Sequence, residues 1–347
     1  VHRRLGLYLS LVLVGEVLSG GTALHAAEPA KKAGEKKAGD VATDPASAGR
    51  DFVAQGEYSG YISGPQRNRR VGWQVIALGD GRFQAVEHSG GLPADGWDGR
   101  ARREFAGAWQ QAFVAFPDCD QHTALIVGRE VWLRDRQDGT LVGVLRKVHR
   151  ESPTLGARPP RGAVMLFDGS PGGSRSTEAF QGGRTTPDGL LMVGPTTRLP
   201  VRDFFLHAEF RTPFMPSQRG QGRANSGVYI QRRYEVQILD SFGLPGLDNE
   251  CGGLYKQRAP ALNMCLPPLA WQTYDIEFRA PRFDGDGKKT AAGRITVRHN
   301  GVVIHNDVEL ANKTGGGQPE GPQPLPILLQ DHGNPVHFRN VWLVQRD

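Results

Sequence analysis

Polar residues with the spacing to do chemistry are concentrated in Asn225–Asp240, NSGVYIQRRYEVQILD. Two apolar runs there carry Tyr229 and Gln231, then Glu235 and Gln237. Alternation through Tyr234–Asp240 puts Glu235, Gln237 and Leu239 on one strand face and Tyr234, Val236, Ile238 and Asp240 on the other. Residues two apart on a strand lie about 7 Å apart. A carboxylate and an amide at that separation can grip neighbouring hydroxyls of a sugar ring, while a nearby aromatic covers its CH face. The competing explanation is a solvated sheet face, with Glu235 held by Arg232 or Arg233.

Other side chains could join this set. Glu209 shares a strand face with His207 and Arg211, and an adjacent strand would bring it beside Glu235. Paired carboxylates divide acid and base work in glycoside chemistry. Asp331-His332 follows the apolar run Leu325–Leu329 and could supply a base with its orienting group, although neighbours on a regular strand point apart. Tyr255 and Lys256, in CGGLYKQ, are placed to wall a cleft or simply to pack a loop. FDGDGKK at Phe283–Lys289 lacks the twelve-residue calcium pattern and reads as a hairpin tip. There is no GxxxxGK[ST], no strand-framed GxGxxG and no G-x-S-x-G, so nucleotide and ordinary esterase chemistry have no support.

The elements that must position these groups are short. Glycine and proline together number 70 of 347 residues (46 plus 24), which favours brief strands joined by turns over long helices. From Ala163 onward the chain is a succession of strand signals, among them FFLHAEFRT, SGVYIQ, YEVQILD, TYDIEFRA and VHFRNVWLVQ. In FFLHAEF, Phe205, His207 and Glu209 oppose Phe204, Leu206, Ala208 and Phe210. His299-Asn300-Gly301-Val302 is a hairpin turn. The pattern predicts an all-β fold in which two antiparallel sheets pack as a sandwich or jelly roll. Residues 51–150 predict a smaller β-rich domain, with turns at Gly79-Asp80-Gly81 and Asp138-Gly139 and a short helix over Arg100–Gln111, where Phe105, Ala108 and Trp109 share a side.

The remaining segments read as connections. His2, Arg3 and Arg4, the apolar run Leu5–Val14 and Ala26-Ala27 resemble a signal peptide (1–27), which implies a periplasmic or secreted protein. The run is too short to cross a bilayer, which takes about 20 apolar residues. Residues 28–50 are expected to be a flexible linker. A Pro/Gly-rich break at 151–162 separates the first domain from the second, 163–347. The net charge of +6 is scattered over arginines, with acidic residues interspersed, so no nucleic-acid surface is indicated. Cys119, Cys251 and Cys265 include no CxxC pair. In an exported chain Cys251 and Cys265 could close a small loop, contributing about 3 kcal/mol in the entropy model where geometry allows.

From about 164 to 344 the chain resembles the bacterial 3-keto-disaccharide hydrolase domain. The resemblance is carried in order by LFDG at Leu166–Gly169, DFFLHAEFR at Asp203–Arg211, NSGVYIQ, YEVQILD, Leu254-Tyr255, Trp271–Ile276, HNGVVI at His299–Ile304, LQDHG at Leu329–Gly333 and FRNVWL at Phe338–Leu343. It implies a concanavalin-like jelly-roll β-sandwich and cleavage of glycosides already oxidised at C3, the substrate coming from a separate sugar 3-dehydrogenase. A C3 ketone acidifies the C2 proton; loss of that proton lets the enolate expel the C1 substituent, and water then adds. Such a site needs a base, a proton donor and an electrophile, for which a divalent metal ion is one candidate. The matching motifs nominate Glu235 as base or metal ligand, with Glu209 and His332 as further catalytic candidates. Asn225, Tyr229, Gln231, Gln237, Tyr255 and Lys256 are nominated for an oxidised sugar or oligosaccharide. Two departures from the family pattern are Gln272, where asparagine is usual, and a longer Gly/Pro-rich stretch at 315–326. The alternative is a carbohydrate-binding or adhesion protein without turnover, since fold does not settle function. An enzyme predicts Glu235 in a pocket; a binding module predicts a shallow groove with exposed aromatics.

Overall fold

The computed structural model describes residues 41–64, 67–100 and 102–346, all within one compact unit spanning 36–347. The signal-peptide expectation and most of the linker lie outside the described residues. Where the linker is described, at 41–50, it is tied down. Ala42 exchanges backbone hydrogen bonds with Phe214, and Ala42 and Ala48 are buried. A one-and-a-half-turn helix, α1 (Gly49–Ala54), then leads into the first strand.

Eight antiparallel strands close into a barrel in chain order. They are β1 (Gly56–Ile62), β2 (Arg69–Gly79), β3 (Arg82–Ser89), β4 (Arg102–Gln110), β5 (Phe113–Cys119), β6 (His122–Val127), β7 (Glu130–Asp135) and β8 (Leu141–Val148), which pairs back onto β1. Closure leaves no free edge. Tyr58, Trp73, Val75, Phe83, Phe105 and Phe116 fill its interior, so it is a packed core and not a ligand-sized cavity. The helix expected over Arg100–Gln111 is instead strand β4. Period two puts Phe105, Gly107 and Trp109 on one face, and Phe105 packs on Trp73 with ring centroids 5.6 Å apart. The helical side Phe105–Ala108–Trp109 was a coincidence of small residues. A Cβ on Gly107 would press within 2.5 Å of the Phe116 ring, which marks the inward face of this strand.

Beyond the barrel, residues 151–346 form β9 (Val164–Phe167), β10 (Phe180–Gln181), β11 (Leu191–Met192), β12 (Thr196–Thr197), β13 (Asp203–Arg211), β14 (Ser226–Ile230), β15 (Tyr234–Ile238), β16 (Trp271–Arg279), β17 (Arg282–Phe283), β18 (Lys289–Ala291), β19 (Gly293–His299), β20 (Val302–Leu310), β21 (Leu328–Leu329) and β22 (His337–Arg346). A five-stranded sheet runs β10-β12-β21-β14-β15. A seven-stranded sheet runs β11-β22-β13-β16-β19-β20, with β9 beside β22. The architecture is all-β, a closed barrel followed by several further sheets. Phe204, Leu206, Ala208 and Phe210 of β13 share one apolar core with Val228, Ile230, Val236 and Ile238 of β14 and β15. The two sheets therefore bury facing sides, and the alternation read in FFLHAEF is the alternation observed.

The turns follow the sequence. Asn300 and Gly301, at φ 50° and 78°, make the two-residue connection between β19 and β20, and Asp80 and Gly81 likewise join β2 to β3. The barrel seats on the second region through Ile76 and Val86, which belong to the same apolar core, and through the Arg223 guanidinium, which donates to the Ala77 carbonyl.

Candidate functional site

Pairing of β14 with β15 sets the site. Tyr229 lies opposite Glu235 and Gly227 opposite Gln237, all on the sheet face turned away from the shared core. That face is not wet. Loops around 219–225, 252–258 and 312–318 cover it, and every residue of both strands is buried. The outer edge of β15 is closed by backbone bonds with Gly252, Gly253 and Tyr255 and by the Thr314 hydroxyl, which accepts from the Glu235 N–H at 3.0 Å.

Glu235 is 3 % exposed. Its Oε2 accepts the Tyr229 hydroxyl at 2.8 Å, and it makes no ion pair among the described residues. Burial pushes its carboxyl up to about 7, against the smaller opposite pull of the Tyr229 hydrogen bond. Tyr229 itself is driven well above its ordinary range by burial and by the neighbouring Glu235, so it stays a hydroxyl donor at any physiological pH. A carboxyl that exchanges its proton near neutrality suits a general base.

Amides complete the cluster. Gln237 Nε2 donates to Gln221 Oε1 at 3.0 Å, and Asn225 Nδ2 donates to the Gln221 carbonyl at 2.9 Å. Gln330 enters from the residue after β21, its N–H bonded to the Gly227 carbonyl and its side-chain Nε2 donating to Tyr229 Oη at 3.5 Å. Asn225 Oδ1 and Gln330 Oε1 are buried acceptors without a partner. Tyr255 is half-buried on the loop that bonds to the Glu235 carbonyl, its own N–H making that bond.

Other nominated residues stand apart. Gln231 is not on the strand face. It sits at φ 50° in the turn after β14, where Nε2 donates to the Val201 carbonyl and Oε1 accepts from Arg233. Lys256 is exposed and pairs with Asp248 at 3.7 Å. His332 is exposed on the loop two residues beyond Gln330.

Glu209 does not meet Glu235. Because Leu206, Ala208 and Phe210 face the core, His207 and Glu209 point from the seven-stranded sheet to the opposite outside of the fold. There they lie under the connection after the barrel. Glu209 accepts from the Gly156 N–H at 2.6 Å, Arg339 Nε at 2.7 Å and Asn340 Nδ2 at 2.9 Å. Burial works to raise its carboxyl, but His207, Asn340, Arg339 and the Gly156 N–H outweigh it and hold Glu209 at about 2. His207 Nδ1 lies 2.6 Å from Asp275 Oδ1, and Thr154 donates to Asp275 Oδ2 at 2.7 Å. Burial alone would lower His207; Asp275 and Glu209 overcome it and raise it. This network ties the connecting segment to the sheet. The paired-carboxylate expectation fails because two packed sheets put the two acids on opposite outer faces.

The family profile of the 3-keto-alpha-glucoside-1,2-lyase-like domain matches residues 162–344, just over half of the chain. The chain belongs to this family. It is a carbohydrate-active enzyme of the hydrolase and lyase type acting on 3-keto-glycosides. No curated protein matches it. Solved structures of Parabacteroides distasonis proteins assigned as glycosyl hydrolases are similar. One is 33 % identical, with 54 % of this chain and 85 % of that chain covered and a TM-score of 0.48. A second is 17 % identical over 54 % of this chain and 95 % of the other, with a TM-score of 0.38.

Set against this family, the donor set argues against a resident metal at Glu235. Among the described residues no three His, Cys, Asp or Glu side chains group closely enough to hold an ion, and the Glu235 carboxyl is bonded to the Tyr229 phenol, which in turn accepts from the Gln330 amide. The cluster around Glu235 also contains residues that strand patterning did not nominate. Gln221 lies in a glycine-rich loop that offers no periodicity. Gln330 lies inside LQDHG, where Asp331 and His332 drew attention by type. Cys251 and Cys265 are free, fully buried thiols in contact with each other, with the Tyr274 hydroxyl 3.3 Å from Cys251 Sγ. Among the described residues no helix is long and apolar enough to cross a membrane.

Proposed function

We propose that this domain cleaves 3-keto-glycosides by elimination and hydration, with Glu235 as the base. The carrying observation is a buried carboxyl, raised to about 7 and held by a tyrosine hydroxyl, on a face lined with amides. Glu235 takes the proton from C2, adjacent to the C3 ketone. The C2–H electron pair forms the enolate; its collapse makes the C1–C2 double bond and breaks the bond from C1 to the leaving oxygen. That oxygen takes up a proton and departs as the alcohol or second sugar. Water then adds across the enone, its oxygen to C1 and its proton to C2, so the net change is hydrolysis.

Tyr229 fixes the carboxyl by donating to Oε2, which leaves Oε1 for the substrate. Tyr255, half-buried on the loop whose N–H bonds the Glu235 carbonyl, offers a hydroxyl to the developing enolate oxygen. Asn225 and Gln237, braced by Gln221, orient ring hydroxyls. The site's tyrosines are buried or half-buried and not splayed on an open groove, which favours turnover over a binding module.

The wider assignment is a jelly-roll sandwich of the concanavalin type. It is supported by a chain that passes between the two sheets at β13–β14, β15–β16, β20–β21 and β21–β22. The reading keeps residues 51–150 as a barrel domain packed on the catalytic domain of 163–347, and takes the protein to act in the periplasm or beyond, supported by the basic-then-apolar composition of residues 2–27. The substrate is supplied by a reaction that oxidises the C3 hydroxyl of a glycoside. The test is incubation with an aryl 3-keto-glucoside. Wild type releases the aglycone, and Glu235→Gln lowers turnover by about a thousandfold or more. Saturable binding without release in wild type would overturn the assignment.

A further inference from the structure

Gln330 is held in register with the site by its backbone. Its N–H donates to the Gly227 carbonyl at 2.8 Å, and its carbonyl accepts the Ser226 hydroxyl at 2.8 Å. The side chain thus emerges on the face of Tyr229 and Glu235. Its Nε2 is turned towards the Tyr229 hydroxyl, which leaves Oε1 buried and without a donor. An unmade hydrogen bond of this kind costs about 1–3 kcal/mol, so such a group calls for an occupant.

Gly227 lets both acceptors pack against the strand. A Cβ there would press within 2.6 Å of Glu235 Oε1 and 3.1 Å of Gln330 Oε1, so both oxygens lie close against this one glycine and a side chain would displace them. Glu235 Oε2 already accepts from Tyr229, so Oε1, beside Gly227, is the oxygen free to take a proton.

We infer that Gln330 is a specificity-determining residue that accepts the C2 hydroxyl of the sugar while Glu235 takes the hydrogen from the same carbon. C2 of a 3-keto-glycoside carries one hydrogen and one hydroxyl, and two neighbouring acceptors, one free carboxyl oxygen and one amide oxygen without a donor, match those two substituents. The assignment rests on Glu235 being the base. It adds that the site recognises substrates with a free C2 hydroxyl and discriminates against 2-deoxy analogues. Among the described residues the titratable group bonded to the Glu235 carboxyl is Tyr229 on β14; the adjoining loop bonds the Glu235 carbonyl through the Tyr255 N–H, and the loop from 312 contributes the uncharged Thr314 hydroxyl.

The experiment is a cycle crossing enzyme with substrate. Aryl 3-keto-glucoside and its 2-deoxy analogue are assayed with wild type, Gln330→Ala and Gln330→Glu, with kcat/KM measured from pH 5 to 9. Wild type is expected to prefer the 2-hydroxy substrate by about 10- to 100-fold beyond the uncatalysed difference in C2 acidity. In Gln330→Ala that preference falls to within about threefold. The acidic limb of the kcat/KM profile moves up in Gln330→Glu, where a second carboxylate stands beside Glu235. A preference retained in Gln330→Ala, or an acidic limb that stays in place in Gln330→Glu, overturns the assignment. Failure of the base assignment is distinguishable: Glu235→Gln would then keep wild-type turnover and an unchanged acidic limb, whatever Gln330 does.

Discussion

Replacing Glu235 with glutamine should remove activity and stabilise the protein, with a pH dependence fixed by the burial of one carboxyl. An unfolded glutamate ionises near its ordinary 4.5, whereas folded Glu235 ionises near 7. Between those values the folded chain keeps a proton that the unfolded chain has lost, so rising pH favours unfolding. Below 4.5 the cost is absent. It accumulates as the pH climbs and becomes constant above 7, where the difference corresponds to about 3 kcal/mol at 1.36 kcal/mol per pH unit. Glutamine fills the same space and still accepts the Tyr229 hydroxyl, so other contacts change little. Denaturant unfolding of both proteins at pH 4.5, 6, 7.5 and 9 reads this directly. Glu235→Gln should match wild type at pH 4.5 and exceed it by about 3 kcal/mol at pH 9. A stability difference that does not change with pH would refute the reasoning, because desolvation of the charged form is its only source.

Four further outcomes are expected. Gly227→Ala should abolish turnover while the protein stays folded by circular dichroism, since the new methyl would press within 2.6 Å of Glu235 Oε1 and push the carboxyl out of place. Glu209→Ala should retain the acidic limb of kcat/KM yet cost about 3–5 kcal/mol in urea unfolding at pH 7, because Arg339 and the Gly156 N–H lose their buried partner. The Glu209 contribution is present above its ordinary 4.5 and is lost as the pH falls through about 2, so wild type but not Glu209→Gln should lose stability steeply over that interval. Lys256→Ala should leave kcat/KM within about twofold, as measured with the same aryl substrate, because the side chain is exposed and pairs outward with Asp248.

The apolar alternation of the second region was legible because it is local. Leu206, Ala208 and Phe210 against His207 and Glu209 is a strict period of two, and one buried face is all it requires. The Glu235–Tyr229 pair was also within reach, since a short turn makes the two strands antiparallel neighbours. What patterning could not supply was which outer face each strand presents. Glu209 and Glu235 look alike in sequence, and only the assignment of β13 and β15 to different sheets separates them. Gln231 shows the same limit on a smaller scale. Two more residues of strand would have kept it beside Tyr229, but Gln231 and Arg232 adopt positive φ and turn it towards Val201. In the barrel, Phe105–Ala108–Trp109 imitated a helical side because Gly107 and the alanines carry too little apolar signal to reveal the strand period. Gln330 and Gln221 were hidden for a different reason: each acts from a loop, where no periodicity marks an inward side chain.

Proton abstraction at C2 is tested most directly by labelling that carbon. With an aryl 3-keto-glucoside carrying deuterium at C2, wild type should release the aglycone several-fold more slowly than with the protonated substrate, and the same glucoside lacking the C3 ketone should not be cleaved. Equal rates for the two isotopologues under conditions where bond cleavage limits turnover, or cleavage of the unoxidised glucoside, would contradict the account.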